Sequence, residues 1–208
     1  MGNICQKYGV FVIADEIHCD FVYKGYKHTA FGAINEAFLS NAMICTSPSK
    51  TFNLAGLQTA NNFIADAGMQ QRFKSEMAKT GYSQLNTMGL VACQAAYTGG
   101  REWLDELLTY LAGNYAYAKE FIENRLPKIR LAQQEGTYLL WLDLNAYGFS
   151  ESELDRLITD KAGLWVDNGN IFGEEGKGFI RINAACPRRI LVKAFEQLAA
   201  ALEQHNVK

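Results

Sequence analysis

Cysteine is sparse and unpatterned in this sequence of 208 residues. Its five cysteines are odd in number, scattered, and never arranged as Cys-x-x-Cys. This argues against a disulfide framework and against a structural zinc site, and it favours a reducing compartment such as the cytoplasm. The charges nearly cancel, with 20 Lys and Arg against 22 Asp and Glu. Without a basic run, such a balance offers no field that would attract nucleic acid or an anionic membrane.

Long apolar runs are also missing. No stretch approaches the roughly 20 residues that a bilayer-spanning helix needs. The N-terminus lacks a charged segment followed by an apolar one, so we expect neither a membrane segment nor a signal peptide. Internal repeats and low-complexity tracts are absent as well. We therefore expect a soluble protein that forms one large domain or two small ones.

Three short apolar runs predict β-strands, at residues 10–14, 42–45 and 62–65. The first is rich in β-branched residues, which suits a strand buried on both faces of a parallel sheet covered by helices. Polar residues follow each run. Open α/β sheets bind their ligands at the carboxyl ends of strands, so these polar ends are candidate sites.

Beyond Gly81 the pattern becomes helical and then mixed. Ser150 and Glu153 form a capping box that predicts the start of a helix. The other predicted elements are helices over 85–97, 101–124 and 187–206, and strands at 138–142, 164–166 and 179–182. We divide the chain into a partial α/β domain (1–100), a connecting helix (101–124) and a small α+β domain (125–208).

Lys50 is the strongest candidate for chemistry. It lies in Ser-Pro-Ser-Lys-Thr just after the second predicted strand. A lysine in such a place can form a Schiff base with an aldehyde cofactor, and Ser47, Ser49 and Thr51 can donate hydrogen bonds to a phosphate. From composition alone, a solvated loop lysine is the more common case.

Asp15 ends the first predicted strand. A carboxylate there can pair with a protonated pyridine nitrogen, or it can simply cap the following helix. The neighbouring Glu16, His18 and Cys19 are possible metal ligands. They lack a matching distal pair and the HExxH spacing, so we expect no metal site.

Arg181 lies within an apolar predicted strand, where an unpaired arginine is costly. A bidentate grip on a substrate carboxylate explains it, and so does an internal salt bridge. Arg188 and Arg189 are expected in the solvated first turn of the last helix. The glycine-rich residues 173–178 lack the spacing of a phosphate loop and are interpreted as a turn.

Three segments, in order, resemble the pyridoxal-phosphate enzymes of fold type I, in the class I/II aminotransferase family. They are the strand-end Asp segment (14–18), the Schiff-base lysine segment (47–57) and the C-terminal arginine segment (179–188). The resemblance implies a fold that forms the C-terminal part of such an enzyme. That part is a partial large-domain sheet with helices, plus a small α+β domain.

The resemblance also implies roles for individual residues. Lys50 would hold pyridoxal 5'-phosphate as a Schiff base and later move the α-proton of a small amino-acid substrate. Asp15 would keep the ring nitrogen protonated, and His18 would lie near the phenolic oxygen of the cofactor. Ser47 would bind the phosphate, and Arg181 the substrate's α-carboxylate.

Two departures separate the sequence from most aminotransferases. His18 stands where many have a tyrosine, and Gln58 stands where many have a phosphate-binding arginine. Both departures resemble the cystathionine β-lyase branch, so we favour β-elimination from a sulfur-containing amino acid over transamination.

Family members are about twice as long and are usually homodimers. They carry further cofactor-binding residues in the half that has no counterpart in this sequence. A homodimer is therefore expected. The alternative from a different class is a catalytically silent chain that acts as an interaction module.

Overall fold

The chain divides into two compact units in a computed structural model that describes residues 1–82 and 84–206. Unit 1 comprises residues 1–106 and unit 2 residues 107–208. The division falls within one helix, α6 (Arg101–Arg125). The three-part boundaries expected from the sequence stay a prediction. Within the described residues, no helix is both long and apolar enough to cross a membrane.

Unit 1 contains a three-stranded sheet, with helices before, between and after the strands. The strands are β1 (Val12–Asp15), β2 (Ala42–Thr46) and β3 (Asn61–Ile64). The helices are α1 (Gly2–Lys7), α2 (Phe31–Ile34), α3 (Pro48–Thr51), α4 (Ala67–Lys79) and α5 (Thr87–Gly99). The strand order is β1-β2-β3.

The sheet in unit 1 is mixed, and this corrects one expectation. β1 pairs with β2 in parallel, with Asp15 opposite Cys45, whereas β3 pairs with β2 in the antiparallel direction. The carboxyl end of β3, near Asp66, therefore lies at the opposite edge from the ends of β1 and β2. Burial on both faces was also wrong for β1 among the described residues, since Ile13 is 63% exposed.

Unit 2 is built around a four-stranded antiparallel sheet. Its strands are β4 (Arg130–Leu131), β5 (Leu139–Asp143), β6 (Asp167–Asn168) and β7 (Phe179–Asn183), in the order β4-β5-β7-β6. Besides most of α6, its helices are α7 (Glu151–Arg156), which continues as a π-helical turn (Leu157–Lys161), and α8 (Arg188–Asn206).

Alternation along the strands explains the core of unit 2. Leu140 and Leu142 on β5 and Ile180 on β7 are essentially inaccessible, while Trp141 and Arg181 between them point to the other face. The buried side packs with residues of α6, α7 and α8 into one continuous apolar cluster. Each fully buried side chain of this size contributes about 1.5–3 kcal/mol.

Local signals were correct more often than exact positions. The capping box of Ser150 and Glu153 is confirmed, with both of its reciprocal hydrogen bonds present. The strand predicted at 164–166 was displaced, because the observed β6 begins at Asp167. The interpretation of residues 173–178 as a turn is confirmed, since the segment starts with a short 3-10 helix and continues as a turn.

Candidate active site

The carboxyl ends of β1 and β2 bring the predicted residues of unit 1 to one edge of the sheet. The two strands run in parallel, so Asp15, the last residue of β1, and Thr46, the last residue of β2, end at the same edge. α3 follows β2 after a single residue and carries Lys50. This edge is where open α/β sheets place their ligands.

Lys50 is held by a short, well-capped helix. Ser47 is the N-cap of α3, its hydroxyl accepts a hydrogen bond from the Ser49 amide at 3.0 Å, and Pro48 occupies the first helical position. Both features stabilise a helix start. The Lys50 side chain is exposed, and its Nζ makes no hydrogen bond or ion pair with any described residue. The amine is therefore free to react.

The three hydroxyls beside Lys50 differ in availability. Ser47 is only 5% exposed, and its Oγ donates to the carbonyl of Thr59 at 2.6 Å. The buried Thr51 donates to Asp20 Oδ2 at 2.8 Å. Only the hydroxyl of Ser49 donates to no described residue. The phosphate role of Ser47 stays a prediction, and it requires the Thr59 contact to break.

Asp15 is exposed and accepts a hydrogen bond from the Ile17 amide at 3.2 Å. Its negative charge affects Cys45, the residue opposite it on β2. Burial raises the pKa of the Cys45 thiol, and the charge of Asp15 adds to that rise. His18 follows in a turn, with its ring centroid 5.8 Å from that of Phe21. The carboxylate of Asp15 thus remains open to a cationic partner.

Two further carboxylates near this edge, Glu16 and Asp20, make structural contacts that the sequence did not predict. Glu16, whose side chain is 9% exposed, accepts from the Phe31 amide at 2.7 Å and lies 2.9 Å from His28 Nε2. Glu16 therefore connects the segment before α2 to the end of β1 through these two contacts. Asp20 accepts the hydrogen bond from the Thr51 hydroxyl. Burial, followed by the charge of Asp20, raises the pKa of Tyr97 to about 12.

Backbone strain flanks the lysine segment. Asn53 and Gln58 have φ values of 55° and 51°, in the left-handed region that non-glycine residues seldom adopt. Such residues concentrate at ligand-binding sites. The adjoining turn is also closely packed, because a Cβ at Gly89 would overlap the hydroxyl of Thr59. Close packing therefore leaves the backbone of residues 53–59 little conformational freedom.

Arg181 lies in unit 2, on β7, and the internal salt bridge considered from the sequence is present. Its Nε and Nη2 lie 3.0 and 2.7 Å from Asp167 Oδ2. Arg188 lies in the first turn of α8, as expected, but its side chain is hydrogen-bonded and not solvated. Its Nε donates to Asn114 Oδ1 at 2.7 Å, and its guanidinium stacks over Tyr117.

Asn114 was not singled out from the sequence, although it is fully buried. Besides accepting from Arg188, its Nδ2 donates to the carbonyls of Ala184 and Cys186, at 2.8 and 3.1 Å. The segment after β7 is thereby fixed to α6. A polar residue on an otherwise apolar helix face was the signal that could have revealed it.

Residues 1–198 match the family model for aminotransferases of class I and II. The chain belongs to this family. The match covers the Asp15, Lys50 and Arg181 segments together.

Three relatives show which members of this family the chain is similar to. Cystathionine beta-lyase PatB of Bacillus subtilis is 38% identical over 202 residues, covering 97% of this chain and 52% of PatB. Cystalysin of Treponema denticola, whose structure contains a pyridoxal 5'-phosphate cofactor, superposes with a TM-score of 0.95 at 34% identity. The superposition covers 98% of this chain and 52% of cystalysin. The PLP-bound C-S lyase of Staphylococcus hominis superposes with a TM-score of 0.88 at 32% identity, covering 97% and 49%.

These superpositions confirm the predicted fold, the C-terminal part of a fold-type-I enzyme. The chain spans about half the length of the relatives it matches. The aspartate aminotransferase of Pyrococcus horikoshii is more distant, at 22% identity over 206 residues, whereas a PLP-bound putative aminotransferase of Clostridium difficile 630 is 37% identical with a TM-score of 0.94.

Proposed function

We propose that the protein containing this chain is a pyridoxal-phosphate-dependent C–S lyase. It would cleave a sulfur-containing amino acid such as cystathionine by β-elimination, giving pyruvate, ammonia and a thiol. The observation that carries the proposal is the edge where β1 and β2 end in parallel. Asp15 ends β1 there with an exposed carboxylate, and Lys50 follows β2 with an amine that makes no ion pair with a described residue.

The residues at this edge fit the chemistry of the cofactor. An aldehyde needs an unhindered primary amine, which Lys50 Nζ supplies. A protonated pyridine nitrogen needs an anion, and Asp15 is exposed at the end of β1. A phosphate needs hydrogen-bond donors, and Ser49 has a hydroxyl that no described residue takes. The chain therefore offers a partial set of ligands for the group, with the other contacts to come from elsewhere in the protein.

When bound, pyridoxal phosphate supplies an electron sink that acidifies the Cα–H bond of an amino acid. The remaining work falls to side chains. Lys50 Nζ takes the proton from Cα, for which it must be neutral. Arg181 binds the α-carboxylate of the substrate through its guanidinium fork. The Cβ–S electron pair leaves with sulfur as a thiolate, and the three-carbon product is hydrolysed to pyruvate and ammonia.

Elimination is preferred to transamination for two reasons. His18 and Gln58 occupy positions where many aminotransferases carry a tyrosine and an arginine. The relatives that bear a cystathionine beta-lyase name are also 29–38% identical to this chain, whereas the aspartate aminotransferase is 22% identical. Transamination within the same family is the second candidate function.

We further propose that the protein acts as a homodimer in the cytoplasm. Five free cysteines suit a reducing compartment. The apolar side chains exposed on unit 1 suit burial against other protein. Light scattering on the purified protein measures the dimer directly, and a monomer at micromolar concentration would contradict it.

The cofactor role of Lys50 is tested by spectroscopy. After addition of pyridoxal phosphate, we expect a visible absorption band that disappears in Lys50→Ala and persists in Lys24→Ala, a matched change of an exposed lysine in unit 1. Borohydride reduction followed by peptide mapping should place the cofactor on Lys50. A band of equal strength in Lys50→Ala, or none in the wild-type protein, would contradict the proposal.

The reaction is tested with L-cystathionine. Pyruvate released without any keto-acid acceptor supports the lyase. Amino-group transfer that depends on such an acceptor, with no pyruvate in its absence, would instead establish the aminotransferase. Loss of a general base typically lowers the rate by about 10²–10⁴, so Lys50→Ala should fall by at least that factor.

A further inference from the structure

A row of three residues crosses the sheet of unit 2 at Arg181. The register places Trp141 of β5 opposite Arg181 on one side and Asp167 of β6 opposite it on the other. Side chains directly opposite in antiparallel strands have Cβ atoms about 4.5–5.5 Å apart. The strand register therefore places Asp167 next to Arg181.

The ion pair uses only one edge of the guanidinium. A single oxygen, Asp167 Oδ2, accepts from both Nε and Nη2, at 3.0 and 2.7 Å. Nη1 makes no hydrogen bond or ion pair with a described residue. The end-on edge formed by the two terminal nitrogens is the fork that grips a carboxylate through two parallel hydrogen bonds. That edge is left for a ligand.

An aromatic wall fixes the plane of the same guanidinium. Its Cζ lies 4.5 Å from the ring centroid of Phe172. Phe172 in turn meets Trp141 edge to face at 5.6 Å, and Trp141 stacks on Phe179 at 5.3 Å. A cation is attracted to the face of an aromatic ring, and here the contact also restricts rotation of the guanidinium.

Phe172 reaches this position because the loop that carries it is folded back on itself. Gly169 and Gly176 touch through their backbones, and a Cβ on either one would overlap the other. The glycine-rich segment, which has no phosphate-loop character, thus serves to close the loop that carries Phe172.

The charge of Arg181 acts on a neighbouring tyrosine, and the ion pair itself is partly exposed to water. Burial raises the pKa of Tyr138, and the charge of Arg181 opposes that rise. Asp167 is 46% exposed and Arg181 32% exposed, so water screens the pair. An ion pair this exposed contributes little to folding stability, so we expect unit 2 to remain folded when the pair is removed.

We propose that Asp167 is a positioning residue, which holds Arg181 by its side-on edge so that the end-on edge faces the α-carboxylate of the amino-acid substrate. The inference rests on the proposed function, because it takes Arg181 as the group that binds the carboxylate. A competing arrangement, in which the substrate must displace Asp167 from Arg181, predicts the opposite change in affinity when Asp167 is removed.

The test compares Asp167→Ala, Asp167→Asn and Arg181→Ala with the control Glu174→Gln. Glu174 lies on the same loop and pairs with Lys177 instead of Arg181. For L-cystathionine we expect Asp167→Ala to raise KM about threefold to tenfold, the value of one hydrogen bond, with kcat changed less than KM. Asp167→Asn keeps an accepting oxygen and should recover much of the loss, while Glu174→Gln should match the wild-type protein.

A second measurement needs no turnover. Propionate carries the carboxylate alone, and its binding can be followed by the fluorescence of Trp141, with Trp141→Phe as the blank. We expect Asp167→Ala to weaken propionate binding by a similar factor. Because no cofactor reaction is involved, this titration decides the inference even where lyase activity is absent.

The outcomes separate the two claims. Tighter binding in Asp167→Ala would make Asp167 a competitor and overturn the inference. Unchanged binding in Asp167→Ala, with weaker binding in Arg181→Ala, would also overturn it while leaving the role of Arg181 intact. Unchanged binding in Arg181→Ala would remove the carboxylate role of Arg181, and the inference with it.

Discussion

The two units are nearly equal in length and very unequal in packing. Unit 2 holds a continuous cluster of twenty-one buried apolar residues, whereas unit 1 buries only a handful, among them Phe21, Phe38 and Ile44. Among the described residues, fifteen of the twenty large apolar side chains that are exposed belong to unit 1. Unit 2 thus has an apolar core of its own, whereas unit 1 leaves apolar surface that further protein could cover.

α5 shows this difference most clearly. It is apolar around most of its circumference, a pattern typical of helices buried on all sides. Yet Met88, Leu90 and Val91 are each at least half exposed. We therefore expect further protein, from the same polypeptide or from a partner, to lie against this helix. The residues proposed to carry the chemistry, Lys50 and Asp15, belong to this less self-sufficient unit.

The largest expected effect comes from separating the units. Residues 101–208 alone should unfold cooperatively in urea, with a slope of about 1–3 kcal/mol per molar, because their core is their own. Residues 1–100 alone should bind a hydrophobic dye and show no cooperative transition. Two cooperative transitions would break the comparison, and would show that unit 1 needs no cover.

A smaller effect is expected from matched substitutions in the two sheets. Leu140→Ala in β5 empties a fully buried site and should lower the free energy of unfolding by about 2–5 kcal/mol. Ile13→Ala in β1 changes a side chain that is 63% exposed, so the free energy of unfolding should change by no more than about 0.5 kcal/mol. Urea melts of the full chain measure both. A large loss for Ile13→Ala would mean that unit 1 is covered already, for instance by self-association.

The smallest expected effect concerns acid. Burial pushes the pKa of Asp143 upward, but hydrogen bonds from Asn145 and Arg130 outweigh it, so the net pKa is lowered. A carboxyl group with a lowered pKa in the folded state contributes stability above its unfolded pKa of roughly 4, and the contribution is lost as the pH falls.

Asp143→Asn should therefore destabilise unit 2 by about 1 kcal/mol at pH 7, with the difference shrinking below about pH 4. Denaturant melts of both proteins across this range check the sign. A constant difference down to pH 2 would show that the hydrogen-bond geometry of Asp143, and not its charge, is what stabilises the strand.

Features that depend on neighbouring residues could be predicted from the sequence. The β-branched run of β1, the capping box of Ser150 and the long amphipathic α6 are all local patterns. The Ser-Pro-Ser segment likewise indicated the place of Lys50 after a strand. α4 was missed because its thirteen residues are mostly polar.

Features that depend on distant residues could not be predicted. The reversed direction of β3 is decided by its pairing with β2, which no single strand sequence encodes. The partner of Arg181 lies fourteen residues earlier and is selected by the β6–β7 register. The loss of Ser47 as a free donor follows from the approach of the Thr59 carbonyl, which depends on the left-handed turn at Gln58.

The contact between Gly169 and Gly176 has a consequence for protein engineering. A library that aims to alter substrate preference around Arg181 would naturally vary residues 169–178. The two glycines cannot accept any side chain, and a change in loop length would separate them, so both the spacing and these two positions must be kept constant. Variation then falls on residues 170–172, 174 and 175, and among these Phe172 is the residue whose ring contacts the guanidinium of Arg181.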